Sequence, residues 1–208
     1  DIYVYPDLEP FVDIDAKVIK YTDSSILFSD KENGQIIFLE GENQSGKTSL
    51  IRMTYLSLIQ KSIFPLLIRG KDIIHPNINK LFKSTYKAQY ETKSFSYDEY
   101  YQLSIDKKVL FIEDLDDCKL NKDGIHAMLE EIKKTFSKVI MTISPTYMNR
   151  LLLPGANNEN TKFYHIKSLS YEKRNQLIEK WLYLGRDKFS VNRAELERKL
   201  RLTFDQIS

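Results

Sequence analysis

Residues 35–50 read QIIFLEGENQSGKTSL, and no other stretch of the chain restricts its fold so strongly. QIIFLEG is a short, nearly continuous apolar run, the kind buried on both faces of a parallel sheet. From Lys47 to about Ser62, the apolar residues Leu50, Ile51, Met53, Leu56, Leu58 and Ile59 fit a helix. Between strand and helix, Gly41, Gly46, Lys47 and Thr48 stand at the spacing GxxxxGK[ST]. The two glycines let successive backbone N–H groups converge on an anion. Lys47 supplies a mobile cation for the outer phosphates, and the Thr48 hydroxyl suits a magnesium ion. The helix adds its positive N-terminal end. Strand before and helix after are the context this pattern needs, so Gly41, Asn43, Gln44, Ser45, Gly46, Lys47, Thr48 and Ser49 are the expected nucleotide-holding residues.

Further apolar runs extend the scheme. IFPLLIRG at 63–70, KVLFIED at 108–114, KVIMTIS at 138–144 and KFYHIKSL at 162–169 read as strands. Helical stretches are expected over much of 71–104, broken at His75-Pro76 and near Ser94 to Ser96, and from Gly124 to Phe136. After residue 169 the pattern is helical only, from Tyr171 to Tyr183 and again from Val191. Strands alternating with helices imply a three-layer α/β/α fold around a five-stranded, mainly parallel sheet. At the N-terminus, IYVY (2–5) and KVIKY (17–21) flank Pro6 and Pro10 and read as an edge element, followed by a short helical turn from Ser24 to Phe28. The expected organisation is an N-terminal segment 1–33 packing on a nucleotide-binding core 34–169. Residues 170–208 then begin a helical lid or winged-helix-like region. The chain opens on DIYVYPDLEP without a methionine and stops in RKLRLTFDQIS, as expected of a piece of a longer protein.

A hydrolytic site of this type also needs a carboxylate at the end of a second buried strand. VLFIEDLDD offers Glu113, Asp114, Asp116 and Asp117. Period-two alternation would put Glu113 and Asp114 on opposite faces, leaving one of them to serve the metal alongside Thr48. If Glu113 holds the metal, Asp114 or Asp116 can polarise the attacking water. Thr142 and Ser144 are the polar groups available at the end of KVIMTIS.

Taken together, the motifs of the chain resemble the STAND class of P-loop ATPases, near the NACHT and KAP groups. GENQSGKTSL, FPLLIRGKDI, VLFIEDLDD, VIMTIS and HIKSLSYEKRNQLIEKWLYLG carry the resemblance, over about residues 34–185. It implies the additional-strand topology, with IFPLLIRG between the lysine loop and the acidic strand in sequence and KVIMTIS between them in space. It also implies ATP or ADP with magnesium, and a conformational switch that activates attached effector and sensor domains and forms a homo-oligomer when activated. Signalling or antiphage defence is the implied setting. This chain departs from the pattern in three places: Glu113 stands where many relatives have aspartate, Ser144 where many have arginine, and YVYPDL where a glycine-arginine turn is common.

Bulk properties narrow the alternatives. A net charge of +2 gives no electrostatic case for nucleic acid or a membrane surface as the main partner, which weighs against a nucleic-acid motor. The absence of a long apolar run or basic leader points to a cytoplasmic chain, as does the single cysteine, Cys118. Tyr86, Tyr90, Tyr97, Tyr100 and Tyr101 are read as amphipathic packing rather than base stacking. His75, His126 and His165 lack the spacing of a zinc site. Arg69, Arg150 and Arg174 are candidates for an arginine at the γ-phosphate. Trp181 and Leu184 suggest a helix face docked on the core.

Overall fold

The computed structural model describes residues 2–11, 21–28, 34–90, 95–147 and 160–184, with Ala194 and Arg198. Its seven strands are β1 (Asp7–Pro10), β2 (Thr22–Asp23), β3 (Gln35–Glu40), β4 (Phe64–Arg69), β5 (Lys108–Glu113), β6 (Lys138–Ile143) and β7 (Thr161–Ile166). They lie in the order β2-β1-β7-β3-β6-β5-β4. β7, β3, β6, β5 and β4 pair in parallel, as expected for the five core strands. KVIMTIS does stand between the lysine-loop strand and the acidic strand. Two short strands extend the sheet antiparallel beyond β7.

All residues of β3 and β6 are buried, and in β5 all but Glu113. Alternate side chains of these strands enter two separate cores, which is how a continuous apolar run satisfies both faces of a sheet. Ile37, Leu39, Val109, Phe111 and Ile140 pack with Leu50, Ile51 and Leu58 of helix α1 (Lys47–Gln60). Ile36, Phe38, Leu110, Ile112, Val139 and Met141 face the other way. There they meet α2 (Asn79–Tyr90), α3 (Tyr97–Gln102) and α4 (Lys122–Ile132). A capping box between Ser96 and Glu99 starts α3, and Asn121 caps α4 through the Gly124 N–H at 2.9 Å.

The first N-terminal strand falls later than the apolar run IYVY suggested. Residues 2–5 form no strand. Tyr3 packs edge-on to Tyr5, and Tyr5 on Phe28, with centroids 4.9 and 5.2 Å apart. The Tyr5 hydroxyl shares a 3.0 Å hydrogen bond with Ser57 on α1. Packing against a helix buries these rings better than a sheet edge would. The strand begins after Pro6, and Pro10 is tolerated because β2 pairs only with Asp7 and Leu8. The turn Ser24–Phe28 forms as expected, with Asp23 accepting from the Ser25 N–H at 2.8 Å. Of KVIKY, residues 17–20 lie outside the described residues, as does nearly all of the chain beyond 184.

Helix α5 (Tyr171–Leu182), capped by Ser170, is held differently from the expectation. Trp181 and Leu184 are 59% and 61% exposed, so these two side chains are not the docked face; Leu177, Ile178, Leu182 and Tyr183 are the half-buried apolar residues of the segment. Polar anchors also hold it: Lys173 reaches the Tyr5 carbonyl and Asp7, each at 2.7 Å, and Lys180 reaches the Tyr3 carbonyl at 2.6 Å.

The opposite flank, β4, is sealed by side chains. Gln89 donates to the Leu67 carbonyl at 2.7 Å and accepts from the Leu67 N–H at 3.2 Å. The Tyr90 hydroxyl donates to the Pro65 carbonyl at 2.7 Å, and Pro65 has no N–H to satisfy. Tyr86 and Tyr100 are buried in the same aromatic cluster, in line with a packing role.

Beyond β4, Gly70 meets the end of β5. A Cβ on Gly70 would lie 1.9 Å from the Asp114 carbonyl oxygen and 2.7 Å from its carbon. Only glycine permits that approach, and backbone cannot yield as a flexible side chain would. Gly70→Ala should therefore destabilise the fold by about 1–3 kcal/mol, read as a lower urea midpoint at unchanged slope. A midpoint equal to wild type would show that the two strand ends are free to separate.

Candidate functional site

The loop from Gly41 to Gly46 joins β3 to α1, and its backbone is built for close approach. Gly46 has φ 90° and Gln44 φ 67°. A Cβ on Gly41 would lie 2.3 Å from the Ser45 hydroxyl oxygen. α1 starts at Lys47 without a side-chain cap, so its first N–H groups, which lack intrahelical partners, remain for an anion. The Ser45 hydroxyl is buried and has no hydrogen-bond partner, a cost that a bound phosphate oxygen would remove. Lys47 Nζ donates to the carbonyls of Gly41 and Glu42 at 2.6 and 3.0 Å, which holds the cation over the loop. Glu42, Asn43, Gln44 and Ser49 are exposed around it, and Thr48 is half-buried. This donor set fits a polyphosphate.

Magnesium fits as a companion to that phosphate. Among the described residues no three His, Cys, Asp or Glu side chains gather to hold a metal unaided. A magnesium ion that keeps waters and takes phosphate oxygens needs few protein ligands, and Thr48 with one carboxylate at the end of β5 would suffice.

At that strand end, alternation breaks down. Val109 and Phe111 point to the α1 side, and Glu113 follows them in register. Asp114 then adopts φ 51°, ψ 63°, a left-handed conformation that aspartate tolerates better than most residues. The expectation that only one of the two acids can serve the site assumed a strand continuing through Asp114, and the left-handed turn ends it. The Thr142 hydroxyl on β6 accepts the Asp114 N–H at 2.8 Å, pinning the turn. Thr142 is wholly buried, and its hydroxyl also lies 3.5 Å from the Asp114 carboxylate. Ser144 lies just past β6 and its carbonyl accepts from the Tyr147 N–H at 3.1 Å.

Burial, then the neighbouring charge of Glu113, hold the Asp114 carboxyl above the usual aspartate range; Lys47 opposes them, and Asp116 and Asp117 add to the rise. The site thus brings Lys47, Glu113, Asp114 and Asp116 into one electrostatic unit. Asp116 Oδ1 is buried without a partner.

Of the arginines, Arg69 is paired with Asp72 at 3.0 Å on the far edge strand, Arg174 sits in the first turns of α5, and Arg150 lies outside the described residues. Sequence reasoning missed Glu40 and His165. Glu40 ends β3 and is buried; His165 Nδ1 lies 2.9 Å from its carboxylate. The two are 125 positions apart, and only the pairing of β3 with β7 joins them. Gly70 was missed as well, although a glycine closing an apolar strand is a signal for close backbone approach.

Asp114 carries a testable consequence for stability. A carboxyl whose folded-state pKa is raised favours the protonated form, so its contribution is greatest in acid and is lost as pH rises through the folded-state value. At neutral pH the ionised side chain works against the fold, screened by the water that reaches it. Asp114→Asn should therefore raise Tm at neutral pH by about 1–2 °C. The gain should vanish below the ordinary aspartate range, where wild type is neutral too. A lower Tm at neutral pH would contradict this electrostatic picture.

No protein-family model matches the chain, and no curated protein matches it. Solved structures similar to it include AMPPCP-bound DnaA from Aquifex aeolicus, at 12% identity and a TM-score of 0.48, covering 85% of this chain and 53% of that one. The RuvB Holliday junction branch migration motor of Thermotoga maritima is 12% identical with a TM-score of 0.44, covering 72% and 43%. The flagellar accessory protein FlaH from Methanocaldococcus jannaschii is 17% identical with a TM-score of 0.35, covering 60% and 65%. The chain thus spans 43 to 65% of the length of these structures. On the strand order, the loop after β3 and the acidic end of β5, the chain has the P-loop α/β architecture.

Proposed function

We propose that the chain is an ATP-binding switch domain that hydrolyses ATP slowly and couples ATP or ADP occupancy to rearrangement of neighbouring parts. The observation that carries the reading is the Gly41–Thr48 loop, with Ser45 unpartnered and Lys47 poised over it, facing the acidic end of β5 across β6. Lys47 exchanges its two loop carbonyls for phosphate oxygens, and the N–H groups of α1 hold the rest of the anion. Magnesium, when bound, neutralises charge on the outer phosphates. Asp114, pinned by Thr142, receives the proton of the attacking water. A carboxylate held above its ordinary range accepts that proton more readily near neutrality. Glu113 and Thr48 serve the metal side.

The resemblance to STAND proteins supports a regulatory role over a metabolic one. On this reading effector and sensor domains lie outside residues 1–208, residues 170–208 begin the helical lid, and activation assembles several copies. Cytoplasmic signalling or defence fits that arrangement. Among the described residues no helix is long and apolar enough to cross a membrane.

A second reading, a nucleotide-dependent scaffold without turnover, is favoured by Glu113 and by Ser144, where many members of the resembled class have aspartate and arginine.

Lys47→Ala should lower ATP and ADP affinity by about 10–150-fold, the worth of lost charge-assisted hydrogen bonds, measured by calorimetry. Unchanged affinities would overturn nucleotide binding at this loop. Single-turnover hydrolysis separates the two readings. Asp114→Asn and Glu113→Gln should keep ATP binding and lose turnover by about 100-fold or more. A wild-type chain that binds ATP and never cleaves it would favour the scaffold.

A further inference from the structure

We propose that His165 is a positioning residue for the nucleotide site, acting through Glu40 on the phosphate loop. This rests on the nucleotide reading above. Glu40 is the last residue of β3 and directly precedes Gly41, so it stands at the base of the loop. That side chain is only 10% exposed and lies 2.9 Å from His165 Nδ1. Cross-strand pairing of Glu40 with His165 places both on one face, beyond the stacked rings of Phe38 and Phe163. A carboxylate buried this far is tolerated when it is paired.

From β1, Glu9 stands directly opposite His165, and Lys167, just past β7, meets it at 2.8 Å. Opposite Glu40 on β6 stands Ile143, which carries no charge. Among the described residues Glu40 and His165 are therefore paired with each other, a pair that is neutral when the imidazole is protonated and singly negative when it is not. Histidine is the side chain suited to change charge between pH 5 and 8. A net negative charge at the base of a phosphate-binding loop opposes a polyphosphate. Protonating His165 strengthens nucleotide binding, and by reciprocity a bound nucleotide draws a proton onto the pair. β7 also delivers α5 through Ser170, so the same contact joins the loop to the strand that carries that helix.

The test is ADP affinity, measured by calorimetry with magnesium on the whole 208-residue chain at about pH 6 and about pH 8. Wild type is compared with His165→Gln and Glu40→Gln. The ligand's own titration and that of Asp114 are common to all three proteins, so only the difference between them is read. Wild type should gain at least about fivefold more affinity on acidification than either variant. Glu40→Gln should bind at least as tightly as wild type at the higher pH, because it removes the opposing charge. A merely structural pair would weaken binding at both pH values with the wild-type pH ratio retained, and that result overturns the proposal. Circular dichroism establishes that each variant is folded. If His165→Gln does not fold, Glu40→Gln carries the test, since it leaves no carboxylate stranded. ADP binding by wild type without the extra pH difference overturns this inference alone. Failure of wild type to bind ADP at either pH overturns the nucleotide reading and the inference with it.

Discussion

β6 lies between β3 and β5 with every residue buried, and it sets the distance across which the site must work. Neighbouring strands stand about 4.8 Å apart, so the lysine loop and the acidic turn are separated by about 10 Å. Lys47 and Asp114 stand on either side of that gap without forming an ion pair, Lys47 being turned to the loop carbonyls. The two charges therefore feel one another without neutralising one another. β6 is more than a spacer, because its Thr142 hydroxyl fixes the backbone turn on which Asp114 sits. Gly70 supports the same turn from the other side, where β4 ends.

The charges at the top of the sheet work against the fold that presents them. Glu113, Asp114, Asp116 and Asp117 crowd one strand end, the Asp114 carboxyl is raised, and one oxygen of Asp116 is buried without a partner. Ser45 adds an unpartnered hydroxyl across the gap. Each is a local cost in the free chain that a cation or a phosphate would relieve. Strain of this kind gathers where a ligand is meant to supply the missing partner.

Much of this was legible in the residues. The core strands announced themselves as apolar runs too continuous for a one-sided sheet, and the lysine loop was recognisable because its glycines, lysine and threonine are contiguous. Even the place of β6 followed from the resemblance to additional-strand P-loop proteins. The errors share a cause, which is that pattern rules are local. IYVY looked like a strand because its aromatic residues suit one, yet its rings had better partners on α1 and at Phe28. Trp181 and Leu184 looked like a docking face, yet both are exposed, and lysines reaching backbone carbonyls help to hold α5. Alternation failed at Asp114, where the strand turned left-handed. Glu40 and His165 were invisible for the same reason, since only the sheet brings them together.

The covered flank of β4 bears on how copies of such a chain could come together. An open edge strand offers a row of donors and acceptors to any extended segment that passes. Gln89 here takes the place of a neighbouring strand at Leu67, and tyrosine hydroxyls take the Phe64 and Pro65 carbonyls before it. Those groups are already spent within one chain. An assembly built through this flank would have to join surface to surface, by side chains, and could not run one continuous sheet from molecule to molecule. Its geometry could then change with each cycle of nucleotide without any backbone ladder being broken.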